Sequence, residues 1–337
     1  MSDNFYYGHG KVLLTSEYFV LEGAKALALP TQLGQKMHIS YRPSNNPKLY
    51  WKSYDHDEKL WFEAVFELWH FDIVELNEEI ISRHEVELLQ NILIQARNQN
   101  IHFLREEVDI HVTTTLEFPR MWGLGTSSSL IYCIAQWAYI SPFELLDKTF
   151  GGSGYDIACA QSMGPIVYQK RKTGPAWETV SFNPVFKDRI FFVYLNQKQN
   201  SGESVKRFEN LAIENRAQII ANLNELTQQF LDCLDINELE LLIREHELLI
   251  AGALDLPRVK MRLFQDYWGE IKSLGAWGGD FAMVTTSRSA EETEAYFRNR
   301  GYDQILSFDE FILQNFSKYN SKAEQLEYEL KHVSRPQ

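Results

Sequence analysis

The sequence predicts an α+β protein of two domains, and three observations lead there. At roughly 100–200 residues per domain, 337 residues suit two cores. Val108, Ile110, Val112, Thr114 and Leu116 alternate with more polar neighbours, the period of a half-buried strand. Past residue 183 the order is strand, helix, helix, strand, with a further helix behind it. Hydrophobic residues make up 45% of the chain, enough for real cores, so intrinsic disorder is excluded.

The elements follow in order. Residues 12–29 are mostly apolar, punctuated by Gly23 and Pro30, and Met37, Ile39 and Tyr41 alternate as a strand. Arg83–Asn98 reads as an amphipathic helix with Val86, Leu89, Leu93 and Ala96 on one face. Pro119 stops the strand over 108–116. A glycine-rich turn then leads into Leu130–Ile140, apolar on nearly every side and therefore expected to be a buried helix. Gly164-Pro165 precedes a strand over 166–168, and the neighbourhood of Phe182-Asn183-Pro184 is the expected domain boundary, dividing 1–183 from 184–337. Beyond it come a strand over 190–195, one long helix over 204–231, a helix over 237–251, an apolar run over 281–284 and a helix over 291–300.

Charge and cysteines narrow the partners. Lys and Arg number 33 against 46 Asp and Glu, a net charge of −13. A surface this acidic repels phosphate backbones and anionic lipid, so neither nucleic acid nor membranes are expected partners. A small anionic substrate needs a local basic pocket. Cys133, Cys159 and Cys233 are too few and too scattered for a disulfide framework or a zinc site. The start shows no basic segment ahead of an apolar core, and no stretch approaches the ~18 apolar residues of a membrane helix. The expectation is a soluble cytoplasmic protein with reduced thiols, monomeric or homodimeric.

Four stretches carry chemistry. Gly123-Leu124-Gly125-Thr126-Ser127-Ser128-Ser129 joins a strand to a buried helix, so free amides and the positive end of the helix dipole suit an anion. It is neither a Walker A loop nor a dinucleotide fingerprint, and a plain Ser-rich helix cap explains it alone. Lys11, entering an apolar strand beside Gly8 and Gly10, is either an edge residue that reaches solvent or an aimed cation. Glu17, six positions on, falls on the same face by strict alternation. Asp156 is launched from Gly151-Gly152-Ser153-Gly154 into an apolar run, as a helix cap or as a compensated buried carboxylate. Gly275-Ala276-Trp277-Gly278-Gly279-Asp280 is a glycine turn into a strand.

Taken in order, these stretches resemble the GHMP kinase superfamily, most closely its mevalonate and phosphomevalonate kinase branch. Gly10-Lys11 through Glu17-Tyr18 is similar to its first motif, Pro119 through Ser127 to its second, and Gly275 through Gly279 to its third. Gly152-Ser153-Gly154-Tyr155-Asp156 resembles the segment that carries the catalytic aspartate. The resemblance implies a two-domain fold with a ferredoxin-like C-terminal domain and an active site in the interdomain cleft. It further implies an ATP- and Mg²⁺-dependent kinase acting on a small, anionic hydroxyl or phosphate acceptor.

By the same resemblance, Gly123, Leu124, Gly125, Thr126, Ser127 and Ser128 cradle the ATP phosphates, with Gly275, Ala276, Gly278 and Gly279 forming the third turn. Asp156 accepts or orients the proton of the acceptor hydroxyl. Lys11 stabilises the transferring phosphoryl and depresses the Asp156 pKa. Glu17, Lys198 and Ser201 would line the acceptor and Ser127 would ligate Mg²⁺; read from the residues, Lys198, Arg171 and Lys172 are either acceptor cations or solvated loop side chains. Four positions depart from the pattern. His9 and Ser16 replace a proline and a glycine, and Trp277 either stacks on a base or plugs space. No glutamate stands in register for the metal, leaving Glu144 or Asp147. An ATP-dependent decarboxylase of the same superfamily and a non-catalytic ligand sensor or partner-binding protein are the competing readings.

Overall fold

The computed structural model of the chain describes residues 3–197, 201–275, 277 and 280–314. The first half holds β1 (Asn4–Leu13), β2 (Ala26–Pro43), β3 (Lys48–Tyr54), β4 (Leu60–Glu67), β5 (Ile73–Leu76), α1 (Arg83–Gln99), β6 (Val108–Leu116), α2 (Thr126–Ala138), α3 (Pro142–Thr149), α4 (Tyr155–Gln161), β7 (Ile166–Arg171) and β8 (Gly174–Thr179). Its strands form one sheet in the order β5-β4-β3-β6-β2-β7-β8, with β1 paired to β2. β2 is the axis, antiparallel to β1, β6 and β7 along different stretches of its length. Ile110, Val112, Thr114 and Leu116 of β6 point into the core while their neighbours are half-exposed, as their alternation dictates.

Helices cover one face of this sheet. Ser82 and Glu85 form a reciprocal capping box that starts α1, and its stripe of Val86, Leu89, Leu93 and Ala96 is buried. α2 begins at Thr126, before the apolar run, because the serine side chains bond within the turn: Ser128 Oγ donates to the Gly125 carbonyl at 2.9 Å.

The second half holds β9 (Ile190–Tyr194), α5 (Ser201–Glu209), α6 (Arg216–Asp232), α7 (Ile236–Leu254), α8 (Val259–Leu263), β10 (Ile271–Ser273), β11 (Phe281–Thr285), α9 (Ala290–Arg298), β12 (Ile305–Ser307) and α10 (Phe308–Phe311). Its antiparallel sheet runs β10-β11-β9-β12. Every residue of β9 and β11 is buried, which accounts for their unbroken apolar runs. Phe192 and Met283 face a core shared with the first half, while Phe191 and Val284 face Phe264, Tyr267 and Phe297. The single long helix expected over 204–231 is instead two. Asn215 turns left-handed at φ 54°, and the Arg216 guanidinium caps the break by donating to the Leu211 carbonyl at 2.7 Å.

The halves are bound by more than a linker. Val12, Leu29, Phe118 and Leu124 share one apolar cluster with Phe192, Phe230 and Phe281. The Leu313 amide bonds the Pro30 carbonyl at 2.9 Å, so the end of the described chain returns to β2. Cys133, Cys159 and Cys233 are all buried free thiols. No helix among the described residues is long and apolar enough to cross a membrane.

Candidate active site

β1 delivers Lys11 through an irregularity. The β1–β2 register shifts between His9 and Lys11, and at Gly10 the backbone passes so close to Thr31, Leu33 and Leu124 that a Cβ would collide with the Thr31 hydroxyl. Glycine there lets the Lys11 amide bond the Leu124 carbonyl at 3.0 Å. The Lys11 ammonium then donates to the Gly123 carbonyl at 2.8 Å. The lysine is thus bonded at both ends to the glycine–serine turn and does not reach outward as an edge residue.

That turn opens α2. Gly125 sits at φ 91° as the N-cap, and no side chain caps the helix. A Cβ at Gly125 would lie 2.6 Å from Ser128 Oγ and 3.2 Å from Lys11 Cγ, so only glycine leaves the loop its shape. Ser128 is buried, whereas Ser127 on the same first turn is exposed and its hydroxyl has no partner among the described residues. The result is a helix N-terminus with open donors, an available hydroxyl and an adjacent ammonium, which is what an anion requires.

The third wall is α4. Gly154 at φ 88° is its N-cap, and the Tyr168 hydroxyl donates to the Ser153 carbonyl, holding the turn down. Tyr155 and Asp156 therefore project from the first turn of a helix that packs on β1. The Lys11 ammonium is 5.9 Å from the Tyr155 ring centroid. Burial opposes the charge on Lys11, but Tyr155, Asp280 and Asp156 outweigh it and hold the ammonium above its ordinary range.

The carboxylate behaves differently from expectation. Burial raises the Asp156 pKa, and the attraction of Lys11 only partly offsets it, so the net shift is upward and not the depression that a neighbouring ammonium alone would cause. Asp156 is half-buried where α4 packs on β1, and there desolvation outweighs the attraction. The same burial pushes the Tyr155 phenol up to about 12, so it stays protonated at neutral pH.

Asp280, which the sequence shows only as the end of the third glycine turn, also belongs here. It is 8% exposed, and its carboxylate packs so tightly on Gly123 that a Cβ on that glycine would overlap it. Lys11, Trp122, Gly123, Gly275 and Asp280 line one narrow cleft between the halves. The Gly275 amide reaches the Leu13 carbonyl at 3.4 Å, and the Tyr194 hydroxyl donates to the Met121 carbonyl at 2.9 Å. Its signal was an acid immediately after a glycine turn, the same signal that marked Asp156.

Other expected residues lie elsewhere. β1 ends at Leu13, and Ser16 and Tyr18 both adopt φ 64°, so the alternation relating Glu17 to Lys11 breaks. Glu17 is wholly buried, its carboxylate 2.5 Å from the Lys272 ammonium, where no acceptor can touch it. Glu144 is exposed on the first turn of α3, and the adjacent Leu145 and Leu146, not the acid, face the core. Asp147 is exposed as well. Arg171 and Lys172 are exposed at the turn between β7 and β8. Trp277 is a plug, 6% exposed in a cluster with Phe19, Phe208 and Leu254, with no face open to a base. Ser201 opens α5, while Lys198, Ala276, Gly278 and Gly279 lie outside the described residues.

No protein-family model matches the sequence, and no curated protein matches it. Solved structures do. The mevalonate kinase of Methanococcus jannaschii superposes with a TM-score of 0.66 at 13% identity, over 93% of this chain and 99% of that one. L. major mevalonate kinase, solved with R-mevalonate, gives 0.65 at 15% identity over 93% and 97%. Streptococcus pneumoniae phosphomevalonate kinase, solved with phosphomevalonate and AMPPNP, gives 0.63 at 17% over 91% and 98%. Two sheets sharing a core, a glycine turn opening α2 and superposition over nine-tenths of each chain lead to one conclusion: this protein has the fold of the GHMP kinase superfamily.

Proposed function

We propose that the protein is an ATP-dependent small-molecule kinase that transfers the γ-phosphate to a hydroxyl or phosphate of a mevalonate- or phosphomevalonate-like acceptor. The observation that carries this reading is Lys11, bonded to the phosphate-loop carbonyl of Gly123 while within electrostatic reach of Asp156. The residues fit the nucleotide. The uncapped first turn of α2 and the free Ser127 hydroxyl supply donors for phosphate oxygens, and Gly125 keeps the loop clear of Cβ atoms. They also suit Mg²⁺, a hard cation that Ser127 and the nucleotide's own oxygens would hold; when bound it neutralises charge on the transferring group. Glu144 is left out of that set on account of its position.

In this reading Asp156 accepts or orients the proton of the acceptor hydroxyl, and Lys11 stabilises charge on the phosphoryl oxygens. Phosphoryl transfer requires mainly positioning and charge stabilisation, which two side chains on packed elements provide. Residues 1–183 supply the phosphate loop and both reacting side chains, the C-terminal half closes the cleft through Gly275 and Asp280, and Lys198 and Ser201 are the proposed acceptor contacts.

The test is direct. Mg·ATP is titrated against intrinsic tryptophan fluorescence, for which Trp122 beside the loop is a reporter, and ADP release is then measured against a panel of small hydroxy acids and their phosphates. ADP formed with one acceptor and no CO₂ supports the kinase. CO₂ released with ADP makes the protein a decarboxylase, and nucleotide binding without any turnover makes it a sensor. Absence of nucleotide binding sinks the kinase and the decarboxylase alike.

A further inference from the structure

Asp280 stands where the C-terminal half meets the phosphate loop. Its amide donates to the Gln197 carbonyl at 2.6 Å and its carbonyl accepts from the Leu195 amide at 2.7 Å, so the residue is anchored beside the end of β9. Its φ is +44°, a left-handed backbone that aspartate tolerates better than most side chains. That turn sends the carboxylate inward against Gly123, where it is buried. Burying an acid is costly unless a cation answers it, and Lys11 is within its electrostatic reach while bonded to the carbonyl of the same glycine. Lys11, Gly123 and Asp280 thus form a contiguous unit with members from both halves.

We infer that Asp280 is a positioning residue for Lys11, a second carboxylate that the C-terminal half supplies to fix the ammonium against the Gly123 carbonyl. The aim of Lys11 then depends on how Asp280 seats against Gly123. The role assigned to Lys11 in transfer rests on the kinase reading above, but the coupling between the two side chains does not. Asp280 also adds negative charge beside the loop that receives a polyanion, so its value lies in placing Lys11 and not in holding nucleotide.

The experiment uses the full chain with Asp280→Asn and Asp280→Gly, both side chains that a left-handed backbone accepts. Lys11 reactivity is followed at pH 8.5 by amine-selective acylation and mass spectrometry, with Mg·ATP affinity measured by tryptophan fluorescence and turnover by ADP release. We expect Lys11 to acylate several-fold faster in both variants, because an ammonium less firmly held spends more time as the free amine. Mg·ATP affinity should be unchanged or tighter, and turnover lower by about tenfold to a hundredfold, the scale of a misplaced catalytic group. Unchanged Lys11 acylation in variants with parental melting temperatures overturns the inference. Affinity and turnover lost together also overturn it, in favour of a merely structural role. Lys11→Met separates the two levels: parental turnover in that variant ends the kinase reading, while the acylation rates still decide whether Asp280 positions Lys11.

Discussion

The Lys272 ammonium lies 2.5 Å from the Glu17 carboxylate, and neither side chain has any exposed surface. The pair joins β10 to the turn that follows β1. Glu247 approaches the same ammonium at 3.6 Å and accepts the Ser273 amide at 3.0 Å. His246 Nε2 accepts the Ser16 amide at 2.9 Å, which assigns its proton to Nδ1. A buried ionic cluster therefore staples the turn between β1 and β2 to the second half.

Removing one member should be far worse than never having had the pair. Lys272→Met leaves Glu17 buried and unanswered and is expected to cost about 3–5 kcal/mol, whereas Lys272→Met with Glu17→Leu should recover most of that loss. Urea unfolding of the two variants and the parent checks it; equal losses would show that the charges do not act as a pair.

The same cluster predicts a pH signature. Burial pushes Glu247 up to about 7 from its ordinary value near 4.5, with Lys272 only partly opposing it. Between those values the unfolded chain ionises this group and the folded one does not, so Glu247 contributes stability at low pH that is lost as pH rises toward 7. Glu247→Gln should therefore gain on the parent across pH 4.5–7, by at most about 1.4 kcal/mol per pH unit. Denaturation midpoints at pH 5, 6 and 7 measure the difference, and a constant offset would remove the titration from Glu247.

Asp156→Asn is expected to abolish transfer while Mg·ATP still binds, since the phosphate donors lie on α2 and Lys11. In the parent, burial raises the Asp156 pKa, so the acid limb of kcat should fall above the usual aspartate range. A pH–rate profile locates that limb. Near-parental turnover by the asparagine variant would take Asp156 out of the reaction.

Trp277 separates packing from recognition. Its ring is buried among Phe19, Phe208 and Leu254, and its indole nitrogen has no partner among the described residues. Trp277→Ala should cost about 3–5 kcal/mol, and Trp277→Phe, which keeps most of the packing and removes the orphaned donor, less than about 1.5 kcal/mol. Thermal melts read the cost, and Mg·ATP affinity should stay level in the phenylalanine variant. A large loss of affinity there would restore the ring to the nucleotide site.

The readable parts of this chain are those where one short segment states its own environment. β6 declares its buried face by alternation, α1 by its stripe and its Ser82–Glu85 box, and the α2 turn by glycines followed by hydroxyls. β3 and β4 went unread although Leu49 and Trp51 are buried, because Tyr50 and Trp61 place apolar side chains on the other parity and blur the period. The break at Asn215 was invisible for a related reason. The residues around it are ordinary in a helix, and what ends the helix is a bond from Arg216 to a preceding carbonyl, with Glu22 of the other half as its second partner.

By itself the sequence determined the α+β class, the strand and helix faces, the anion-seeking turn at 123–129 and the order of the glycine motifs. Periodicity and turn chemistry act within a few residues and leave their mark there. Only the tertiary structure decided that Glu17 answers Lys272 and not a ligand, that Trp277 fills a core, and that Asp280 packs on Gly123, the glycine whose carbonyl Lys11 holds. The cost of burying a charge or a ring is set by whatever lies across from it, and for Glu17 that partner, Lys272, is 255 residues away.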